Sequence, residues 1–235
     1  MNFSHMLQGG NLYYVILTVA TMLISRWVGS ILQKRFAEYS QRPISLTGAQ
    51  IAEKMLSENG ISDVQVISTP GQLTDHYNPL KKTVNLSEVV YSQANVAAAA
   101  VSAHECGHAV QHANAYGALK LRSALVPIVS LSSKYMPYLL MIGLFMASSG
   151  NTTVLLVGVI LFATTTLFSV VTLPVEFDAS NRALAWLDET RVMGDVDHDK
   201  AKNALFWAAM TYTVAALASI GQLLYYVMRL MAARR

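Results

Sequence analysis

Ala103-His104-Glu105-Cys106-Gly107-His108-Ala109 reads H-E-x-x-H. Residues four apart in a helix share one face, so His104 and His108 can point at a single metal ion. Glu105 stands beside them, placed to take a proton from water at that ion rather than to bind it. Zinc suits the set, because it favours imidazoles with a carboxylate and keeps one position open for water. The flanks favour a helix. An alanine run from Ala97 to Ala100 leads into Val101, Ser102 and Ala103, and Asn95 can serve as N-cap.

A third ligand must come from elsewhere. His112 shares the face of His108, but His104, His108 and His112 on one straight helix would lie along a line about 12 Å long. They could not close around one ion, so His112 is read as a helix-end residue. Metzincins place a histidine six residues after the second ligand, where this chain has Asn114.

The chain has 235 residues, 53% hydrophobic and 13% charged. Soluble domains carry about 25% charged residues. The apolar excess sits in runs at Asn11 to Val28, Leu119 to Ser149, Val154 to Leu173 and Asn203 to Leu230. Each is long enough to suggest a helix in a lipid bilayer. The first run lacks the positive segment of a signal peptide and is followed by Arg26, Lys34, Arg35 and Arg42, the pattern of a retained anchor. In the second run, Lys134 suggests a crossing that begins near Ile128, with the lysine at an interface or inside the bundle. A net charge of +3 without a basic tract excludes nucleic acid as a partner. Cys106 is the sole cysteine, so no intrachain disulfide can form, and it reads as a small filler on the helix.

Between the first run and the motif, Thr47 to Asn59 predicts an amphipathic helix with Ile51, Ala52, Met55 and Leu56 inward and Gly60 as its stop. Val64 to Ile67 predicts a strand. Leu73 to Ser87 predicts two short strands broken at Asn78-Pro79, and Ser87 can cap a helix over Glu88 to Ser92. A strand here could offer its edge to an extended peptide or could simply support the helix. Leu119 to Leu173 predicts a hairpin turning at Gly150-Asn151-Thr152, with both ends on one surface. The span ends at Pro174, and a new helix carries Glu176. That geometry brings Glu176 towards His104 and His108, completing two histidines and a glutamate. Asp178 reads as a helix-start acid. Ser180 or Asn181 can orient a histidine ligand, and Arg182 can pair with a nearby carboxylate. Thr190 to Lys202 predicts a polar loop. Its Asp195, Asp197 and Asp199 lack the rest of a calcium-loop pattern.

Of the 17 Lys and Arg, thirteen flank the motif side, Lys134 lies within a span, and Arg229, Arg234 and Arg235 end the last run. The positive-inside rule therefore puts the catalytic side in the cytoplasm. The terminal arginines argue the other way, unless they are tolerated outside or the last helix does not fully cross.

Asp75-His76-Tyr77, Asn85-Leu86-Ser87, His104 to Ala109 and Glu176-Phe177-Asp178-Ala179-Ser180 together resemble the YugP-type neutral zinc metallopeptidases, prokaryotic multi-pass membrane proteins. That family is similar in plan to HtpX-like membrane gluzincins, from which this chain departs with Ser180 in place of an aspartate. The resemblance implies zinc on His104, His108 and Glu176, Glu105 as base, and protein or peptide substrates.

The expected fold is α+β, mostly α: multi-span membrane helices carrying a small zincin-like unit. Its parts are an anchor (1–32), a catalytic region (33–118), a helical hairpin (119–173), a third-ligand helix and polar loop (174–202), and a C-terminal membrane helix (203–235). The expected activity is that of a multi-pass zinc endopeptidase of the cell membrane with one Zn2+ per chain. Tyr77, His76 and His198 are candidates to stabilise an oxyanion. The alternatives are an intramembrane site-2-type protease and a non-enzymatic scaffold with structural zinc.

Overall fold

The computed structural model describes residues 10–234. Residues 1–9 of the expected anchor, and Arg235, lie outside the described residues. The fold is α+β and mostly α. In chain order it comprises α1 (Gly10–Tyr39), α2 (Gly48–Glu58), β1 (Gln65–Thr69), β2 (His76–Asn78), β3 (Thr83–Ser87), α3 (Glu88–Ser92), α4 (Val96–Ala113), α5 (Gly117–Ala147), α6 (Thr153–Glu189) and α7 (Asp195–Ala233). Helices α1, α5, α6 and α7 are long and apolar enough to cross a membrane.

The chain divides into two compact units. Among the described residues, one gathers 10–27, Leu121–Leu173 and 211–234. Its core packs Leu140, Leu155, Val159, Phe162 and Leu230. Helices α5 and α6 touch backbone to backbone there, because a Cβ on Gly143 would lie 2.5 Å from Leu155 Cα. Paired hydroxyls satisfy each other between helices, Ser132 with Thr164 at 3.2 Å and Thr166 with Ser219 at 2.7 Å. In an apolar setting such groups have few other partners.

The second unit, Val28–Lys120 with Pro174–Met210, carries the motif. Its core joins the inward face of α2 to α4, β3, the later part of α6 and the first part of α7, with Ile51, Met55, Leu86, Val96, Ala103 and Leu187 all buried. Helix α2 starts in a capping box: Thr47 Oγ1 accepts from Gln50 N (3.3 Å), and Gln50 Oε1 accepts from Thr47 N (2.9 Å). It stops where Gly60 takes φ +70°. Cys106 lies fully buried with its thiol against the Ala52 carbonyl (3.5 Å). Burial and then the Glu105 charge push that thiol well up, so it is an inert filler.

Strand β3 is the buried centre of a three-stranded sheet, parallel to β1 and antiparallel to β2. The β2–β3 turn is held by Asn78 Oδ1, which accepts from Leu80 N and Lys81 N at 3.0 Å each. Asn95 caps α4 by accepting from Ala98 N at 2.8 Å. The expected Ser87 cap is not made. Ser87 N and Oγ instead donate to the Asp75 carboxylate, at 2.7 and 3.2 Å, and this ties the approach to β2 onto β3.

Two expected boundaries are corrected. Helix α6 runs through Pro174 without ending. The proline forfeits one backbone bond, to the carbonyl of Val170, whereas ending the helix would strand up to four carbonyls among apolar partners. Residues 195–202 are helical rather than a loop. Asp195 and Asp197 stand in the first turn of α7, where acids favour the helix dipole, and Arg42 pairs with Asp197 at 2.9 Å.

Candidate functional site

Two helices build the site, α4 with His104, Glu105 and His108, and α6 with Glu176 and Ser180. His104 Nε2 lies 3.3 Å from Glu176 Oε2, and His108 Nε2 lies 3.7 Å from the same oxygen. The three ligand-type atoms fall within 4.8 Å of one another. Gly107 makes this approach possible: a Cβ there would sit 2.4 Å from the Ala179 carbonyl oxygen. Glu176 is 2% exposed and His108 7%, so neither is a solvated surface group.

Hydrogen bonds turn both Nε2 atoms towards Glu176. Gln111 is fully buried, and its Nε2 donates to the Val175 carbonyl and to Asp178 Oδ2, both at 2.8 Å. Those acceptors fix its amide orientation and leave Oε1 for His108 Nδ1, at 3.0 Å. A carbonyl only accepts, so His108 carries its proton on Nδ1. His104 Nδ1 lies 3.1 Å from Ser180 Oγ, and this hydrogen bond orients the ring. Asp178 also takes a 2.6 Å bond from Arg182 Nε, and that guanidinium rests 6.0 Å from the Tyr116 ring centroid. Burial disfavours the His108 imidazolium, but its bond with Glu176, the charges of Glu105 and Glu176, and the bond with Gln111 together raise its pKa above the ordinary value.

Glu105 follows His104 on α4. Its Oε2 accepts from the backbone N–H of Tyr77 in β2 at 2.9 Å. One carboxylate oxygen is thus fixed to the sheet. Tyr77 Oη pairs with His112 Nδ1 at 2.8 Å.

The donor set fits zinc. Two imidazole nitrogens and one carboxylate converge, their far nitrogens are engaged, and among the described residues no further His, Cys, Asp or Glu joins the group. His112 stays outside it. His198 gives its Nε2 to the Leu184 carbonyl (3.1 Å), and His76 turns its Nδ1 to the Thr74 carbonyl (2.7 Å). Asp178 is no helix-start acid, because α6 does not begin there; it anchors Gln111 and Arg182. Sequence reasoning missed Gln111, although its spacing, three residues after His108, puts it on the neighbouring turn.

Removing the Gln111 amide takes away the partner of His108 Nδ1 and its tie to α6. Gln111→Leu is therefore expected to weaken zinc binding by about 10–100-fold, measured by competition with a chromogenic chelator. Wild-type affinity in this variant would show that His108 needs no such support.

Comparison with known proteins places these features in context. The family model described as "Putative neutral zinc metallopeptidase" matches residues 14–231. The chain is similar to the "Putative membrane protease YugP" of Bacillus subtilis (strain 168), 38% identical over 217 residues, which cover 92% of this chain and 95% of that protein. No solved structure matches.

Proposed function

The chain belongs to the neutral zinc metallopeptidase family, and on that premise we propose that it is a membrane-anchored zinc endopeptidase with its centre on α4 and α6. His104, His108 and Glu176 hold one zinc ion, and Glu105 is the general base. The observation that carries this reading is the convergence of three ligand atoms whose histidines are both oriented from behind. Three protein ligands leave a position open, which favours a hydrolytic centre over a structural one. A glutamate as third ligand favours a gluzincin plan over a site-2 plan.

Bound zinc would supply Lewis acidity, which activates a water molecule and polarises the scissile carbonyl. The chain's own residues do the rest. Tyr77 N–H holds Glu105 Oε2, so Oε1 is free to take the proton from the attacking water. Glu105 then passes that proton to the leaving amine. Tyr77 N–H leaves β2 on the side away from β3, so this edge of the sheet positions the base. The distribution of Lys and Arg supports a multi-pass protein of the cell membrane with this centre on the cytoplasmic side.

The test is elemental analysis of purified wild type and Glu176→Ala, with casein cleavage measured beside it. Wild type is expected to hold one zinc and cut; Glu176→Ala is expected to lose both. Full zinc and activity in Glu176→Ala would remove Glu176 from the ligand set. Tight zinc binding by wild type without cleavage of any protein would remove the peptidase reading.

A further inference from the structure

Within the unit that carries the motif lies a cavity of about 540 Å³, a volume that suits a ligand group. None of His104, Glu105, His108 and Glu176 lines it, so the candidate centre does not hold its occupant. Its inner wall is buried and apolar, with Val90, Ala97 and Ala100 each at 3% exposure or less. The Asp75 carboxylate also lines it but is already held by Ser87 N and Oγ.

Two candidate membrane spans supply the other walls. A crossing takes about 20 residues. Counted from Leu12, such a stretch of α1 ends at Ile31. The α1 wall runs from Gly29 to Ala37 and straddles that end. The α7 wall, Ala204 to Ala208, lies at the start of the last apolar run. There Phe206 and Trp207 meet edge to face at 5.6 Å, and tryptophan is enriched where helices leave a bilayer. A cavity at this level has lipid as its neighbour. Gln33 and Ala37 of α1, with Leu73 and Val89, are exposed members of the lining and mark its mouth. Lys34 is exposed beside that mouth, next to Gln33 and one turn before Ala37. Arg35 pairs with Glu38 at 3.0 Å, whereas Lys34 makes no ion pair among the described residues.

We infer that this cavity receives one acyl chain of an anionic phospholipid from the bilayer, with the Lys34 ammonium meeting the phosphate. Burying methylenes against apolar walls favours the chain, and a cation at the membrane surface favours the negative headgroup. A peptide in the same space would leave most of its backbone N–H and C=O groups without partners, whereas a hydrocarbon chain has none to satisfy. The inference does not rest on the peptidase reading.

The test uses the full chain in lipid nanodiscs and a phosphatidylglycerol with a photoactivatable diazirine on its acyl chain, with adducts mapped by mass spectrometry. Wild type is expected to carry adducts on Ala97 to Val101, which lipid on the outer surface of the helices does not reach. Phosphatidylglycerol is expected to label them about 5-fold more than phosphatidylcholine with the same probe. Val101→Trp, which fills the cavity, is expected to abolish labelling of α4 while exposed Leu23 of α1 stays labelled. Lys34→Gln lies on the surface, so it supplies a second reading should Val101→Trp fail to fold. It is expected to erase the preference for phosphatidylglycerol. Absence of adducts on α4 in wild type, or adducts that persist in a folded Val101→Trp, overturns the acyl-chain site. Equal labelling by the two lipids in wild type, or a preference unmoved in Lys34→Gln, overturns the role of Lys34. Labelling of α4 by a diazirine fatty acid but not by the phospholipid overturns the choice of a bilayer lipid.

Discussion

Glu105→Gln is expected to purify with the zinc content of wild type and to hydrolyse casein slower by about 10²–10⁴-fold or more. The substitution preserves volume and keeps an oxygen that can accept from Tyr77 N–H, so β2 and α4 stay joined. His104, His108 and Glu176 are untouched, and no ligand of the proposed ion is removed. The lost property is basicity. An amide oxygen does not take a proton from water near neutral pH, and general-base catalysis contributes about 10²–10⁴-fold. The measurement pairs elemental analysis with initial rates. Loss of zinc in this variant would place Glu105 among the ligands, and wild-type rates would place the base elsewhere.

Gly107→Ala is expected to weaken zinc binding by about 100-fold or more and to abolish cleavage, although it adds one methyl group. That methyl would meet Ala179 at 2.4 Å from its carbonyl oxygen and 3.1 Å from its Cα, all backbone of α6. Carbon contacts settle near about 3.5 Å, so the helices must part by about 1 Å. No flexible side chain is available to yield. Ala179 lies between Glu176 and Ser180, so the displacement carries away both a ligand and the group that orients His104. Metal sites tolerate about 0.2 Å in ligand distance. Chelator competition and thermal unfolding measured together separate this outcome from global unfolding, because overpacking of this kind costs about 1–3 kcal/mol. Wild-type zinc affinity in Gly107→Ala would show that α4 and α6 can part without disturbing the ligands.

Much of this architecture is legible in local sequence. Thr47 with Gln50, and Asn95 before an alanine run, announce helix starts through side chains only a few residues away. The strands on either side of Asn78-Pro79 follow from turn chemistry and alternation. Four long apolar helices follow from composition. The juxtaposition of Glu176 with His104 and His108 was reachable because both ends of a hairpin must return to one surface. What local sequence hides depends on distant partners. Pro174 ordinarily marks a boundary, and only the apolar surroundings of α6 make continuation the cheaper choice. The acids after Gly194 read as a loop until Arg42 and the helix dipole account for them. Ser87 has the right residue type for a cap, yet Asp75 claims it. Gln111 is ordinary in sequence, and its work appears only when His108, Val175 and Asp178 surround it.

The continuous α6 has a consequence for biosynthesis. His104, Glu105 and His108 leave the ribosome well before Glu176, with the whole of α5 and more than half of α6 still to be made. A nascent chain therefore holds only part of the proposed donor set. Any product truncated within the hairpin keeps the H-E-x-x-H helix but lacks the third donor and the serine behind His104. The step that completes this proposed donor set is the making of a helix that is also a candidate membrane span.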